Sequence, residues 1–330
     1  NLELFGVAPG VEVMQASGHN AYPQCDEYRR TLALVNAPGE GSYVIDLFRV
    51  KGGNIHQYNF HSDGEPGGHE ALDLHAAEVS ETWGKWLENP QSIQPEGPTT
   101  LTWDNDGVRL DLTLLDRTDR VILADAPGWR VGSPEDLAKP FVRQVIAENR
   151  AEGSEPLGTQ FAAIIAPYRI HTPIVSARLI TNDSETGVVA FEVRLDGRTD
   201  YIISTKDQEV REYGPVSVGG EFAFVSLNDE GKPIQGYLLK GTTLRCGELE
   251  ISLPGSTTKV KVSSAKEQTW ELDEKLVDPD EVIGNYAIAG DGPVTGFEIE
   301  SATGRSITVR DYPALPCDQI DILHSKWVGE

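Results

Sequence analysis

Hydrophobic and polar residues follow a strand-like pattern from one end of the chain to the other. Runs rich in Val, Ile, Thr, Tyr and Phe recur, among them "TLALVN", "SYVIDLFRV", "GVVAFEVRL" and "EFAFVSL". Between the runs lie turn sequences such as "NDG", "LDGR" and "NDEGK", whose Asn, Asp and Gly residues tolerate positive φ angles. Tight reversals between strands are typical of antiparallel pairing. The pattern therefore predicts an antiparallel all-β chain.

The later part of the chain alternates apolar and polar residues in a regular way. The segments "ELEISL", "TKVKVSS" and "GFEIES" fit half-buried strands whose sheet has one face in solvent. The acidic stretch Asp273–Glu281 is a candidate linker, and we expect a domain boundary within residues 245–275. The sequence thus predicts a large β domain over residues 1–250 and a small C-terminal β-sheet domain over residues 251–330.

One segment departs from the strand pattern. Ser133–Lys139, "SPEDLAK", begins with a Ser that can cap a helix, followed by Pro and two acidic residues. Pro140 then prevents the helix from continuing. We therefore predict one short helix here.

Charge and hydropathy exclude several classes of function. The 330 residues include 52 acidic and 28 basic ones, which gives a net charge of -24. Repulsion disfavours general binding to nucleic acid or to an anionic membrane surface. No apolar run approaches the roughly 18 residues that a membrane span needs, and the first residues lack the features of a signal peptide. We expect a soluble protein whose export signal, if it has one, lies outside this chain.

The stretch Tyr43–His61, "YVIDLFRVKGGNIHQYNFH", carries charged and histidine side chains inside a predicted hairpin. Alternation along a strand places His56 and His61 on opposite faces, and it separates Asp46 from Arg49 in the same way. The two histidines cannot share one metal ion unless a bulge intervenes. Two interpretations remain open, a framework hairpin with polar residues near its ends and a ligand-facing surface.

Metal and motif-based chemistry find little support in the sequence. His61–His75 holds three histidines and four acidic residues, but His69 and His75 would lie about 20 Å apart on an extended strand. A surface loop and a metal-binding loop both fit this segment. No G-x-S-x-G, H-E-x-x-H, Walker or G-x-G-x-x-G motif is present in a suitable context. We predict no cofactor and no metal site in this chain.

Carbohydrate binding is a chemistry for which the remaining residues offer candidates. Exposed indole rings stack on sugar faces, and arginines bind carboxylates or sulfates through paired hydrogen bonds. Core packing is nevertheless the default for a tryptophan, and internal salt bridges are the commoner environment of such arginines. The candidate substrate-binding residues are Arg29, Arg30, Arg49, His56, His61, Trp83 and Trp86, and Lys51 adds a fourth base beside the three arginines.

Several segments together resemble a known family. "AYPQCDEYRRTLALVNAPGEGSYVIDLFRVKGGNIHQYNFHSDGE", followed by "VILADAPGWR", "FAAIIAPY" and "TDYIISTKD", resembles the β-rich C-terminal half of the heparinase II/III-like polysaccharide lyases. The resemblance covers roughly residues 10–245. It implies a large antiparallel two-layer β-sandwich followed by a smaller C-terminal β domain, and a role in β-elimination at uronic acid units.

The same resemblance implies that the catalytic residues lie elsewhere. In the family, the catalytic Tyr and His belong mainly to an N-terminal helical toroid, and a metal site lies at the start of the sandwich. This chain shows neither a toroid nor an H-x-H sequence, and His19 in "GHNAY" does not match the family's ligand position. We therefore assign no catalytic residue. A divalent metal in the part that would precede this chain is left open.

The resulting prediction is the β-sandwich half of a lyase that cleaves an acidic, uronic-acid-containing polysaccharide. Its expected partners are that polysaccharide and the helical toroid of the same enzyme, and a homo-oligomer is left open. The strong acidity fits a secreted or periplasmic location. A non-catalytic carbohydrate-binding or structural β module is the alternative, so whether this chain alone is an enzyme is undecided.

Overall fold

A computed structural model gives the structure of the chain, and almost all of it is β-strand. The only helical element among the described residues is a 3-10 turn at Asp280–Val282. The prediction of an all-β chain is therefore confirmed, whereas the predicted helix Ser133–Lys139 lies outside the described residues. The structure describes residues 1–18, 20–39, 41–63, 65–67, 72–80, 82–127, 141–153, 155–289, 295–310 and 312–329.

Strands are numbered β1 to β27 along the chain. The first sheet, called the central sheet, has eight antiparallel strands. In spatial order they are β1 (Leu2–Ala8), β2 (Val11–Ser17), β3 (Glu27–Asn36), β4 (Ser42–Lys51), β13 (Gly158–Tyr168), β10 (Val108–Leu114), β9 (Thr99–Asn105) and β6 (Glu65–Gly67).

The second sheet, called the outer sheet, has five strands, and β5 forms one of its edges. Their order is β5 (Ile55–His61), β12 (Phe141–Arg150), β11 (Arg120–Pro127), β8 (Glu88–Ile93) and β7 (His75–Ala76).

The third sheet, called the curved sheet, again has eight strands. Six of them follow one another as β14 (Ile174–Asp183), β15 (Val188–Leu195), β16 (Arg198–Ser204), β18 (Val216–Asn228), β19 (Pro233–Cys246) and β20 (Leu249–Ser252). In addition, β17 (Arg211–Tyr213) pairs with β18, and β27 (Ser325–Gly329) pairs with β19.

A closed barrel follows the curved sheet in the sequence. Its order is β21 (Thr257–Lys266), β22 (Thr269–Leu272), β25 (Ser306–Val309), β24 (Thr295–Ala302), β23 (Tyr286–Ala289) and β26 (Gln319–Leu323). Alternating side chains such as Val260 and Val262 point into its core, as the period of the sequence predicts. The smaller C-terminal β unit is therefore present.

The central sheet buries both of its faces along its middle strands, β4 and β13. On β4, Tyr43, Ile45 and Leu47 belong to a core shared with the curved sheet, whereas Phe48 and Val50 belong to a core shared with the outer sheet. Each fully buried aliphatic or aromatic side chain contributes about 2 kcal/mol through removal from water. The expected sandwich is thus present, and a further sheet covers its other face.

The turn chemistry read from the sequence has a clear structural counterpart. Asp106 and Gly107 both have positive φ, 53° and 77°, in the two-residue turn between β9 and β10. Type I′ turns require this geometry, and their twist matches that of the strands they join.

The two longest strands of the curved sheet, β18 and β19, approach each other closely at a pair of glycines. A Cβ atom on Gly220 of β18 would lie 2.7 Å from the Cα atom of Gly241 on β19, so neither position accommodates a larger residue without a shift. The register also slips between Gly219 and Gly220. The curved sheet also has a second core of its own, which includes Tyr201 and Tyr213.

The barrel contacts the large β body on two sides. Phe5 of β1 packs edge-to-face on Tyr286 of β23, with 5.2 Å between ring centroids. After the barrel, the chain returns through β27 to pair with β19. The predicted division of the chain at residue 250 remains a prediction.

Candidate functional site

Three adjoining cavities lie along β3 and its neighbours. The first, called the aromatic cavity, has a volume of about 540 Å³ and includes Tyr22 and Tyr28 in its walls. The second, of about 290 Å³, also touches Tyr28 and continues over Arg29 and Lys206. The third, of about 440 Å³, shares Arg29 and Lys206 and reaches the barrel. The second and third cavities together are called the charged groove.

Alternation along β3 explains why these cavities differ. Tyr28 and Arg30 point toward the outer sheet, where Tyr28 packs on Phe48 with 4.9 Å between ring centroids. Arg29 points the other way, toward the edge of the curved sheet that carries Lys206. One strand therefore supplies an aromatic wall to one cavity and a cation to the next.

Opposite charges line the charged groove. The Arg29 Nε atom lies 3.0 Å from a carboxylate oxygen of Glu3, and it lies 3.5 Å from one of Glu27. Lys206 pairs with the same Glu27 at 2.8 Å. Lys51, at the end of β4, is exposed and forms no ion pair with any residue that the structure describes. Lys51 is therefore the cation of this groove most available to an anionic ligand.

Arg30 is committed to an internal ion pair. Its Nε donates to Asp46 Oδ1 at 2.8 Å, and its Nη2 donates to the other carboxylate oxygen. The Tyr58 hydroxyl also donates to Asp46, at 2.8 Å, and burial raises the pKa of Tyr58. Asp46 is fully buried, whereas the Arg30 side chain keeps 47% of its surface exposed. Part of the guanidinium thus still faces solvent.

Arg49 lies between the central and curved sheets and is only 1% exposed. Its Nε donates to Gln160 Oε1 at 2.9 Å and to the Gly187 carbonyl at 3.1 Å. Its Nη2 donates to the Ser204 hydroxyl and carbonyl at 3.0 and 3.2 Å, and Nη1 donates to Thr31 Oγ1 at 3.4 Å. Burial lowers the pKa of Arg49 to about 9, so it stays cationic at neutral pH. In this position Arg49 has no surface to offer a polysaccharide.

His56 and His61 lie in different environments, as alternation predicts. His56 is buried; its Nε2 lies 2.6 Å from the Gly52 carbonyl, and its Nδ1 lies 2.9 Å from Thr159 Oγ1. Because a carbonyl can only accept, Nε2 carries the proton, and the neutral ring then accepts from the threonine hydroxyl. Burial lowers the pKa of His56, which favours that neutral form. His61, by contrast, is exposed at the end of β5.

The two tryptophans predicted to bind sugar lie in the segment that precedes β8. Trp86 is 65% exposed, and the Lys85 ammonium sits 5.1 Å from its ring centroid, while Trp83 is half-buried. In the outer sheet, β12 and β11 separate β8 from β5, a distance of about 14 Å. The tryptophans therefore form a surface of their own at some distance from His56.

Metal-ligand clusters are missing from the part of the chain that the structure describes. No group of three or more His, Cys, Asp or Glu side chains in that part is arranged to hold an ion. His75 is exposed, and its Nε2 lies 3.5 Å from Asp73. His19 and His69 lie outside the described residues.

Some residues of the site carry no local signal in the sequence. Lys206 meets Glu27 across 179 positions of the chain, so only the packing of the curved sheet on the central sheet joins them. Tyr22 and Gln24 precede β3 in a segment without strand periodicity. Their one signal in the sequence is that an aromatic and an amide residue lie a few positions before the arginines of β3.

Comparison with known proteins finds one family model that matches part of the chain. Residues 177–263 match the family described as the endo-acting ulvan lyase C-terminal domain. These residues form most of the curved sheet and the start of the barrel. The predicted resemblance to a C-terminal β domain of polysaccharide lyases is therefore confirmed.

Structural similarity to solved proteins is low. Heparan sulfate lyase HepC from Pedobacter heparinus and a mutant of it each match with a TM-score of 0.38 and 13% sequence identity. Each match covers 62% of this chain and 28% of the lyase, so the chain spans well under two thirds of these proteins. No curated protein matches the sequence. Among the described residues, no helix has the length and hydrophobicity to cross a membrane.

Proposed function

We propose that this chain is the C-terminal β portion of a polysaccharide lyase that cleaves an acidic, uronic-acid-containing polysaccharide by β-elimination. The observation that carries the proposal is the match of residues 177–263 to the C-terminal domain of ulvan lyases. The full enzyme would include a preceding helical portion that holds most catalytic groups. A secreted or periplasmic location belongs to the same proposal.

The charged groove is the proposed contact surface for the polysaccharide. A chain with a net charge of -24 repels a polyanion everywhere except at a local concentration of cations. Lys51, Arg29 and Lys206 line one continuous surface together with several carboxylates, and among the described residues Lys51 forms no ion pair with any of them. Uronate or sulfate groups would bind there through charge-assisted hydrogen bonds.

The elimination reaction defines what this surface can contribute. It requires neutralisation of the uronate carboxylate, removal of the proton at C5 and protonation of the leaving oxygen. His56 uses both ring nitrogens in hydrogen bonds, and Tyr58 donates its hydroxyl to Asp46. Neither group is free to act as the base. The proposal therefore gives this chain the role of holding the substrate and neutralising its charge.

The alternative is a β module that binds carbohydrate or supports another domain without taking part in catalysis. The exposed Trp86 favours the binding form of this alternative, because indole rings stack on sugar faces. The two functions differ in one observable property. Only a lyase produces the unsaturated uronate that absorbs in the ultraviolet.

The experiment follows this absorbance with a panel of acidic polysaccharides. The chain is assayed alone and together with the preceding polypeptide of the same protein, and a Lys51→Glu variant is assayed beside it. We expect no signal from the chain alone, a signal from the combination, and a weaker signal with the variant at limiting substrate. Absence of both binding and absorbance in every sample would contradict the proposal, whereas binding without absorbance in the combination would favour the alternative.

A further inference from the structure

We infer that the aromatic cavity is a subsite for an uncharged sugar unit, next to the anionic unit that the charged groove holds. The inference rests on the proposed function, because it names a second recognition element for the same polysaccharide. It follows from a contrast between two neighbouring cavities that share the side chain of Tyr28.

One side of the cavity is an aromatic platform. Tyr22 keeps 48% of its surface exposed, and its ring centroid lies 5.3 Å from that of Tyr28 at an interplanar angle of 46°. Phe48 supports Tyr28 from below in an edge-to-face contact. Flat, partly exposed rings of this kind pack against the C–H face of a sugar ring. Support from Phe48 keeps the platform in place before a ligand arrives.

The other side of the cavity carries amide side chains. Gln24, Asn54 and Asn59 are exposed, and within the described part of the chain their side chains have no hydrogen-bond partner. Each amide offers both donors and an acceptor, which is what sugar hydroxyls require. This half of the cavity can therefore recognise an uncharged sugar through hydrogen bonds.

Charge is what separates this cavity from the groove beside it. The structure describes every residue that lines the aromatic cavity, and none of them is Lys, Arg, Asp or Glu. The hydrogen bonds of His56 hold its ring in the neutral form. A carboxylate or sulfate in this cavity would lose hydration without gaining a counter-charge. The cavity therefore disfavours an anionic unit and accepts a neutral one.

Backbone geometry fixes the shape of the cavity. Gly52 has a φ of 98°, and a Cβ atom there would lie 2.3 Å from the Gln24 carbonyl oxygen. His56 donates to the Gly52 carbonyl, and the Gly52 amide donates to Leu157 at 2.9 Å. A turn held on both sides presents Asn54 in a constant position. Such preorganisation lowers the entropy lost on binding.

The order of the two sites sets the order of units in the ligand. Tyr28 borders both cavities, and the neighbouring residues Arg29 and Lys51 belong to the charged groove. A chain lying along both sites would place a neutral sugar beside a charged one. The inferred ligand class is therefore an acidic polysaccharide in which charged and uncharged units alternate.

The test compares one polyanion in which charged and uncharged units alternate with another in which every unit is charged. Hyaluronan alternates a uronate with a neutral amino sugar, whereas polygalacturonate consists of uronate units alone. Affinities of the whole chain for oligosaccharides of equal charge are measured by calorimetry at several salt concentrations. The variant is Tyr22→Ala, and the control is Tyr312→Ala, which removes another exposed tyrosine, 68% exposed and outside this cavity.

We expect Tyr22→Ala to weaken hyaluronan binding about tenfold, with an unchanged salt dependence and little effect on polygalacturonate. Tyr22→Phe should retain most of the affinity, because it keeps the ring. Equal affinities of Tyr22→Ala and the parent chain for hyaluronan would overturn the inference and leave the proposed function standing. An equal loss of affinity of Tyr22→Ala for hyaluronan and for polygalacturonate would overturn the inference too. If the parent chain binds neither polyanion, the inferred preference for alternating units fails, and the panel assay decides the proposed function separately.

Discussion

Each face of the central sheet carries an arginine, and the two arginines are stabilised in different ways. On the face toward the outer sheet, Arg30 pairs with Asp46, and Tyr58 adds a third hydrogen bond. On the face toward the curved sheet, Arg49 is enclosed and donates to uncharged oxygens, among them Gln160 Oε1 and the Ser204 hydroxyl. A carboxylate neutralises the charge of Arg30, whereas hydrogen bonds to uncharged protein oxygens replace the hydration of Arg49.

The difference shows what each face can do for a ligand. Asp46 accepts two hydrogen bonds from Arg30, and part of the guanidinium surface stays in solvent. Arg49 has donors in use on all three guanidinium nitrogens and almost no exposed surface. Burying a charge without a counter-ion costs stability unless hydrogen bonds replace water. Arg49 therefore links the central sheet to the curved sheet through hydrogen bonds. Contacts with a ligand are left to cations at the ends of the strands, such as Lys51.

The largest expected effect concerns Asp116, an acid that also lacks a counter-ion. The Ala162 amide donates to Oδ1 at 2.9 Å, Oδ2 is buried with no partner among the described residues, and burial raises the pKa to about 7. Between about pH 4 and pH 7 the folded state then binds more protons than the unfolded state, so stability falls as pH rises, by up to about 4 kcal/mol.

Urea unfolding at a series of pH values measures this dependence. Asp116→Asn should remove the contribution, because the amide does not titrate, and its stability should change less across the same pH range. Identical pH profiles for the variant and the parent chain would show that Asp116 does not titrate in this range.

The next largest effect concerns the hydrogen bonds by which Arg49 links the central and curved sheets. Arg49→Met keeps much of the volume but leaves acceptors such as Gln160 and the Gly187 carbonyl buried without a donor. We expect a loss of about 3 kcal/mol in the free energy of unfolding, measured by urea titration. Arg49→Lys should recover only part of it, because an ammonium cannot reach all of these acceptors. A loss below about 1 kcal/mol would contradict the comparison.

A smaller effect is expected on the opposite face. Tyr58→Phe removes one hydrogen bond to Asp46 and leaves the ion pair with Arg30 in place. The free energy of unfolding should fall by about 1 kcal/mol in the same titration. A loss as large as that of Arg49→Met would mean that the carboxylate does not compensate Arg30 as the geometry indicates.

The smallest effect on stability is expected for Lys51, which takes part neither in the Arg30–Asp46 ion pair nor in the hydrogen bonds of Arg49. It is exposed and forms no ion pair with the described residues, so Lys51→Ala should change the free energy of unfolding by less than about 0.5 kcal/mol. Thermal unfolding followed by circular dichroism measures this change. A marked loss would show that Lys51 has a structural role.

Much of the fold could be predicted because its signals are local. Runs rich in β-forming residues predict β3 and β4, and Asp106-Gly107 predicts the turn that joins β9 to β10. The separation of Asp46 from Arg49 follows from the alternation of side chains along a strand. The third layer escaped prediction, because a strand that is buried on both faces reveals neither its partner sheets nor their number.

The site was harder to predict because it depends on long-range packing. Arg29, Arg30 and Arg49 look alike in the sequence, yet one lines the groove, one pairs with Asp46 and one is enclosed. Sequence patterns report the face of a strand but not the depth of a side chain. Lys206 joins the groove only through the docking of the curved sheet.

The measurement that tests the central claim most directly is the affinity of the whole chain for an acidic polysaccharide after one charge reversal. Lys51→Glu changes the groove, and Lys232→Glu makes the same change of charge at an exposed position in the turn before β19. We predict that Lys51→Glu weakens binding about tenfold at low salt and that the difference shrinks at high salt, while Lys232→Glu stays within about twofold of the parent chain. Equal affinities for the two variants would contradict the assignment of the groove as the binding surface.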